Sequence, residues 1–252
     1  MEGLKSLATI CAAWLLLTTS CSKEAEQKAP QTKELPQESS VTTPATSTGT
    51  VTGKVLFAGR ASAAKLTVSK DKEVCGDWKQ DPSVLVGSEG GLKNAVVQIA
   101  GLGRAKTPSQ ESVLDQSKCD YVPHVLVVRA GARLTIRNSD GILHNVHTLS
   151  HINTPFNRAQ PKFTKEIKET FAKPEIIPVR CDVHGWMSGW IIVTDNDYFT
   201  VTQSDGAFKL TDVPAGKYSL EVWHETLGSA AQQVEIKGGA TVNVTFEFQM
   251  KQ

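Results

Sequence analysis

Cys181-Asp182-Val183-His184-Gly185-Trp186-Met187 is the stretch on which the reading of this chain turns, together with His144-Asn145-Val146-His147 upstream. Between them they offer a thiolate, imidazoles and a thioether. Two His and one Cys in a trigonal arrangement, with a weak axial Met, form the ligand set of a blue-copper electron-transfer site. The soft sulfur ligands hold Cu(I), while imidazole suits both oxidation states. Cys181, His184, His144 and Met187 are therefore the expected ligands, with one copper per chain.

Working outward, the texture around these motifs is that of short strands. Val51–Phe57, Ala95–Ile99, His124–Val128, Ala132–Arg137, Gly189–Val193, Ala207–Leu210, Tyr218–Trp223 and Thr241–Phe248 are β-branched or aromatic, and several alternate apolar with polar residues. Turn signals separate them, among them Ser204-Asp205-Gly206, Pro214-Ala215-Gly216 and Gly238-Gly239. Many short strands at this spacing predict an all-β chain of sandwich type. No long amphipathic helix stands out.

The chain has 252 residues and a formal net charge of +1, so no basic stripe points to nucleic acid and no acidic block to a solvating tail. At the N-terminus Lys5 precedes the apolar run Leu7–Leu17, which is short for a membrane span. Thr18, Thr19 and Ser20 then lead into Cys21. This segment resembles a bacterial lipoprotein signal, with Thr18 where such signals usually carry Leu. The resemblance implies removal of residues 1–20 and acylation of Cys21; ordinary signal cleavage nearby is the alternative. Either way export to the periplasm or cell surface is expected. Residues 21–50, rich in Lys, Glu, Gln, Pro, Ser and Thr, read as a disordered tether.

Cysteine parity bears on the site. Of the five cysteines, Cys11 leaves with the signal and Cys21 is the lipidation candidate. Cys75, Cys119 and Cys181 remain in an oxidising compartment, where three thiols cannot all pair within one chain. A Cys75–Cys119 disulfide with a metal-bound Cys181 is the simplest solution. Pairing of Cys181 with either of the others stays open at this point.

Two family resemblances can be placed on these residues. The stretch 113–194 resembles a cupredoxin, particularly the amicyanin and plastocyanin branch. Asn138-Ser139-Asp140 before His144-Asn145-Val146 looks like the strand and loop that deliver the first copper histidine, and Cys181-x-x-His184-x-x-Met187 has the short amicyanin spacing. Residues 51–112 plus 195–252 resemble a carboxypeptidase regulatory-like (transthyretin-like) sandwich, through Gly53-Lys54-Val55, Gly91–Val97, Thr202–Phe208 and Val213–Tyr218. The expected architecture is a cupredoxin Greek-key sandwich inserted into, or packed with, this second Ig-like sandwich. The host would supply a missing edge strand to the insert.

The cupredoxin resemblance implies roles for single residues. His184 is the exposed ligand through whose edge electrons pass, and His144 is buried with its other nitrogen on a backbone carbonyl or water. Asn145 braces the two ligand loops. Read from the residues themselves, His147, three residues beyond His144, points away or caps the site, and Leu143 and Trp186, with Ile142, Gly185 and Trp190, form an apolar rim for electron transfer, core packing being the alternative for Trp190. His151 is expected in solvent. A second metal site using His124, His147 or His224 is a lesser possibility. Trp223-His224-Glu225 is placed to contact the insert. The function implied is a non-enzymatic one-electron carrier between redox proteins of the cell envelope, held at the membrane by its anchor. No nucleic acid or small-molecule substrate is expected. Copper delivery or sequestration, or a binding module with a vestigial cupredoxin, are the alternatives.

Overall fold

The computed structural model describes residues 47–59, 64–103 and 111–250. The signal, Cys21 and the tether up to residue 46 lie outside the described residues. The order of elements explains how one sandwich is stitched around another. The N-terminal block contains β1 (Thr48–Phe57), β2 (Lys65–Thr67), a one-turn helix α1 (Lys72–Cys75), β3 (Trp78–Gln80) and β4 (Val96–Ile99). Next come β5 (Ser112–Ser117), β6 (Asp120–Val122), β7 (Val125–Arg129), β8 (Arg133–Asn138), β9 (His144–Thr148), β10 (Asn157–Gln160), β11 (Glu166–Thr170), β12 (Glu175–Arg180) and β13 (Ser188–Thr194). The C-terminal block is β14 (Phe199–Val201), β15 (Ala207–Pro214), β16 (Gly216–His224), β17 (Gly228–Ile236) and β18 (Thr241–Phe248).

Strand β1 lies between β15 and β18, and β4 lies between β14 and β16. The two terminal blocks therefore share both sheets of one sandwich. Its core follows from period-2 alternation: Val244, Phe246 and Phe248 of β18 point inward to meet Val51, Val55 and Phe57 of β1. The turn at Gly206 needs glycine, because φ is +70° there and a Cβ would fall 2.2 Å from the Val55 carbonyl oxygen.

The segment 112–194 forms a second sandwich, with a five-stranded sheet β10-β9-β12-β13-β7 against a four-stranded sheet β11-β8-β5-β6. Leu114, Leu134, Ile136, Ile177, Val179 and Ile191 fill the space between them. All strands of these two sheets come from the segment itself, so the expectation that the host lends it an edge strand is corrected. Contact with the host is made face to face, through Val96, Val125 and Ile192 with Trp190 and Trp223 packed alongside. The Trp190 and Trp223 rings meet edge-on at 5.2 Å. Glu225 seals this contact, accepting from Trp190 Nε1 at 2.6 Å and pairing with His124 Nε2 at 2.5 Å.

A second correction concerns residues 64–80. Sequence reading assigns them to the host, yet Val68 and Cys75, with Leu66 and Val74 against them, belong to the core of the 112–194 sandwich. They form a strap: the β2–β3 hairpin with α1 at its bend. Cys75 and Cys119 are joined in a disulfide with Cα atoms 5.1 Å apart, and Cys181 is a buried free thiol.

Candidate metal centre

The two ligand loops are built by local hydrogen bonding. His144 opens strand β9, whereas sequence reading placed it in a loop. The preceding turn is held by Asn138, whose Nδ2 donates to Ile142 O at 2.8 Å and Gln160 O at 2.9 Å. Cys181 and Met187 sit at the neck of the β12–β13 hairpin, directly beyond the Arg180–Ser188 pair. There Cys181 N donates to Met187 O at 3.2 Å, and Met187 N to His184 O at 2.9 Å. The loop is closed by its own backbone, which fixes where its side chains emerge.

Those side chains converge. His144, Cys181 and His184 offer ligand atoms that all lie within 4.8 Å of one another. The two Nδ1 atoms are 2.9 Å apart, and His184 Nδ1 is 3.8 Å from Cys181 Sγ. Both separations are shorter than the sum of two ordinary metal–ligand bonds, roughly 4 Å for two nitrogens and somewhat more for nitrogen plus sulfur. A single ion can thus be shared without moving the chain far. Met187, at 1 % exposure, is buried in the hydrophobic core that also holds Cys181.

The outward nitrogens are both tied to carboxylates. His144 Nε2 meets Asp140 Oδ2 at 2.8 Å, and His184 Nε2 meets Asp71 Oδ2 at 2.8 Å. Such outer partners fix the tautomer and ring angle and raise ligand basicity. Asp140 is itself pinned by amides, from Lys118 at 2.5 Å and Cys119 at 2.8 Å. Asn145 braces the second loop: its Oδ1 accepts from Asp182 N at 2.7 Å, Val183 N at 3.3 Å and the Cys181 thiol at 3.3 Å. Its Nδ2 donates to Asn157 Oδ1 at 2.6 Å. Tyr121 OH donates to the Asn145 carbonyl at 2.6 Å, and burial beside Cys181 and Asp182 raises its pKa.

With each Nε2–H given to a carboxylate, a hydrogen bond between two Nδ1 atoms requires one ring to be an imidazolium. His144 is that ring. Burial opposes its charge, but Asp140 and the Cys181 sulfur outweigh it and push its pKa up to about 9. Burial lowers the pKa of His184, and the cation on His144 adds to this against the pull of Asp71. Burial would raise the Cys181 thiol, but His144 and the surrounding backbone amides bring it down. The lowered thiol, the raised His144 and the lowered His184 all follow from the packing of these charges against one another.

Several implied roles are corrected. His184 is fully buried rather than the exposed ligand, because the strap and Asp71 cover its Nε2 edge. His144 is buried, with its outer nitrogen on the Asp140 carboxylate in place of a carbonyl or water. Trp186 is not a surface rim: it is buried with its ring 5.1 Å from that of His184. Leu143 is exposed and Ile142 packs inward, so the two do not continue a patch through Trp186. His147 pairs with Asp182 at 3.0 Å, at the surface beside the ligand loop. His124 lies at the contact between sandwiches, while His224 is buried at the end of β16 and accepts from Thr226 N. Among the described residues the only other ion-sized group is Cys119, Asp140 and His144, in which the Cys119 sulfur is committed to the disulfide. His124, His147 and His224 belong to neither group. Sequence reading missed Asp71 altogether. Asp140 stood within the loop motif, four residues before His144, without a role.

Comparison with known proteins bears on parts of the chain. A family model described as polysaccharide lyase family 4, domain II, matches residues 167–244, running from β11 into β18. That description differs from the transthyretin-like likeness read from the sequence. No curated protein matches the chain. Among solved structures, a purple cupredoxin from Nitrosopumilus maritimus is similar at 20% identity over 33% of this chain and 99% of its own, with a TM-score of 0.28. A methionine-to-alanine mutant of amicyanin, with Cu(I), is similar at 22% identity over 39% of this chain and 98% of its own, with a TM-score of 0.30. A copper-containing nitrite reductase from Thermus scotoductus SA-01 is similar at 20% identity over 38% of this chain and 25% of its own, with a TM-score of 0.30.

Proposed function

We propose that this chain is a mononuclear copper protein of cupredoxin type that carries single electrons and performs no catalysis of its own. One observation carries the reading: two imidazole Nδ1 atoms and a cysteine sulfur converge in a buried space while each outward nitrogen is held by a carboxylate. That donor set selects a soft, redox-active ion. Copper held there supplies a one-electron couple. The protein's part is to keep the ligands still, through the closed 181–187 loop, the Asn145 brace and the Asp140 pin. Little rearrangement is then needed when the charge changes. Met187, buried in the same core as Cys181, would supply the thioether. Burial of His144 and His184 shields the centre from water and from larger molecules, which suits a carrier better than a site that must admit substrate.

The surrounding biology extends from the same reading. Residues 48–50, read from the sequence as tether, belong to β1; export by residues 1–20, anchoring through Cys21 and a tether ending before β1 would place the centre in the envelope, within reach of redox proteins there. Copper delivery is the rival reading. The cover over His184 speaks for retention over release, and chelator competition separates the two: a carrier keeps its metal through repeated oxidation and reduction, whereas a donor loses it on turnover. The direct test of the centre is copper loading followed by visible and electron paramagnetic resonance spectra.

A further inference from the structure

Asp71 sits where a helix cap is expected, yet does not cap. It occupies the N-cap of α1, and its carbonyl accepts from Val74 N at 3.0 Å and Cys75 N at 2.9 Å, as an N-cap carbonyl should. Asp is among the best N-cap side chains because its carboxylate can accept from the first free amides. Here the side chain makes no capping bond, and the residue lies in the left-handed region at φ 48°, ψ 39°. A non-glycine residue in that region costs on the order of 1 kcal/mol or more. Both sacrifices serve one contact, the 2.8 Å bond from His184 Nε2 to Asp71 Oδ2 across 113 residues of sequence.

The rest of the strap supports that contact. Four residues after Asp71, Cys75 is bonded to Cys119. The amide of Cys119 in turn holds Asp140, the carboxylate on the other histidine. One crosslink thus anchors the supports of both imidazoles. Val68 and Cys75 are buried in the core beneath the strap, so it is packed as well as tied. The Asp71 carboxylate remains partly open to solvent at 37 % side-chain exposure, while the ring it covers has none.

We propose that Asp71 is the positioning residue for His184, holding the ring with its proton on Nε2 and its Nδ1 lone pair directed at the metal space. Through the strap it also closes the imidazole edge to outside reagents and sets a negative charge beside the centre. The inference rests on the reading of His184 as a metal ligand, and it gives the site a cover that neither ligand motif contains.

The test uses the exported chain with its disulfide intact. In metal-free, 15N-labelled protein near pH 8, long-range proton–nitrogen correlation should show His184 protonated on Nε2, with that proton protected from exchange. Asp71→Ala should mix the tautomers and abolish the protection. Asp71→Asn retains an acceptor oxygen and should restore the tautomer. In copper-loaded protein, Asp71→Asn should raise the reduction potential, since it removes a negative charge that favours the oxidised ion. A tenfold change in the Cu(I) to Cu(II) ratio at fixed potential corresponds to 59 mV for one electron, and a shift of about that order is expected. A merely structural role would leave the potential of the well-folded Asn variant unchanged, and that result overturns the proposal. So does a His184 ring protonated on Nδ1 in the wild type, or a tautomer indifferent to Asp71→Ala. If the tautomer behaves as stated while copper loading produces no type 1 spectrum, the copper reading falls and the role of Asp71 in orienting His184 stands.

Discussion

Opening the Cys75–Cys119 bridge in metal-free protein should cost about as much as any single change in this molecule. The bridge spans 44 residues of sequence and ties the strap to the β5–β6 turn. The chain-entropy expression for a closed loop of that length gives about 4 kcal/mol at 25 °C. Two-electron reduction by a dithiol keeps both sulfur atoms in place, so it removes the crosslink without carving a cavity. With a urea dependence of roughly 3 kcal/mol per molar, the unfolding midpoint should fall by about 1.3 M. Hydrogen exchange should locate part of the effect. Amides of 66–78 should lose protection first, because beyond the bridge the strap is held by short strands of three residues each and by the Asp71–His184 contact. A midpoint that moves by less than about 0.3 M, with the strap still protected, would refute the claim that the crosslink holds the cover in place.

Three further outcomes follow from the packing and the charges. Asn145→Ala should remove the acceptor of the part-buried amides of Asp182 and Val183, hydrogen bonds worth about 1 kcal/mol each, and denaturation of metal-free protein should report a loss of about 2 kcal/mol. An unchanged midpoint would mean that Asn145 does not brace the loop. Glu225→Ala should weaken the contact between sandwiches by about 2 kcal/mol, since it leaves His124 Nε2 and Trp190 Nε1 without their shared carboxylate; unaltered Trp fluorescence and stability would count against it. For Glu175, burial pushes the carboxyl up, but Ser150 and the amides of Asn153 and His151 outweigh it and hold its pKa at about 2, below its ordinary 4.5. A depressed folded-state pKa stabilises above the unfolded value, so this contribution is complete above pH 4.5 and drains away as pH falls toward 2. Glu175→Gln should therefore flatten stability against pH within that window, and parallel curves for variant and wild type would contradict the assignment.

How much of this was legible in the sequence depends on how local each signal is. The strands of the host sandwich and the ligand hairpin carry their own alternation, and Thr241–Phe248 appears with the bounds read from the sequence. Cys181, His184 and Met187 sit within one hairpin neck, so spacing alone brings them near one another. The strap shows the opposite case. Its strands are three residues long, too short for periodicity to register, and its apolar residues are scattered among Lys, Asp and Glu. Nothing local distinguishes Asp71 from a surface acid; its partner lies 113 residues away. The burial of His184 and Trp186 was hidden for the same reason, since it depends on a cover from outside the ligand segment. Asp140 lay nearer to reach, as its spacing from His144 places both on one turn.

The central claim is that His144, Cys181, His184 and Met187 hold a type 1 copper. Spectra of copper-loaded protein test it most directly, with Cys181→Ser as the control. An intense visible thiolate-to-copper band with narrow copper hyperfine splitting, bleached on reduction and absent from the Ser variant, is the predicted result. A folded wild type that binds Cu(II) yet stays colourless would contradict it.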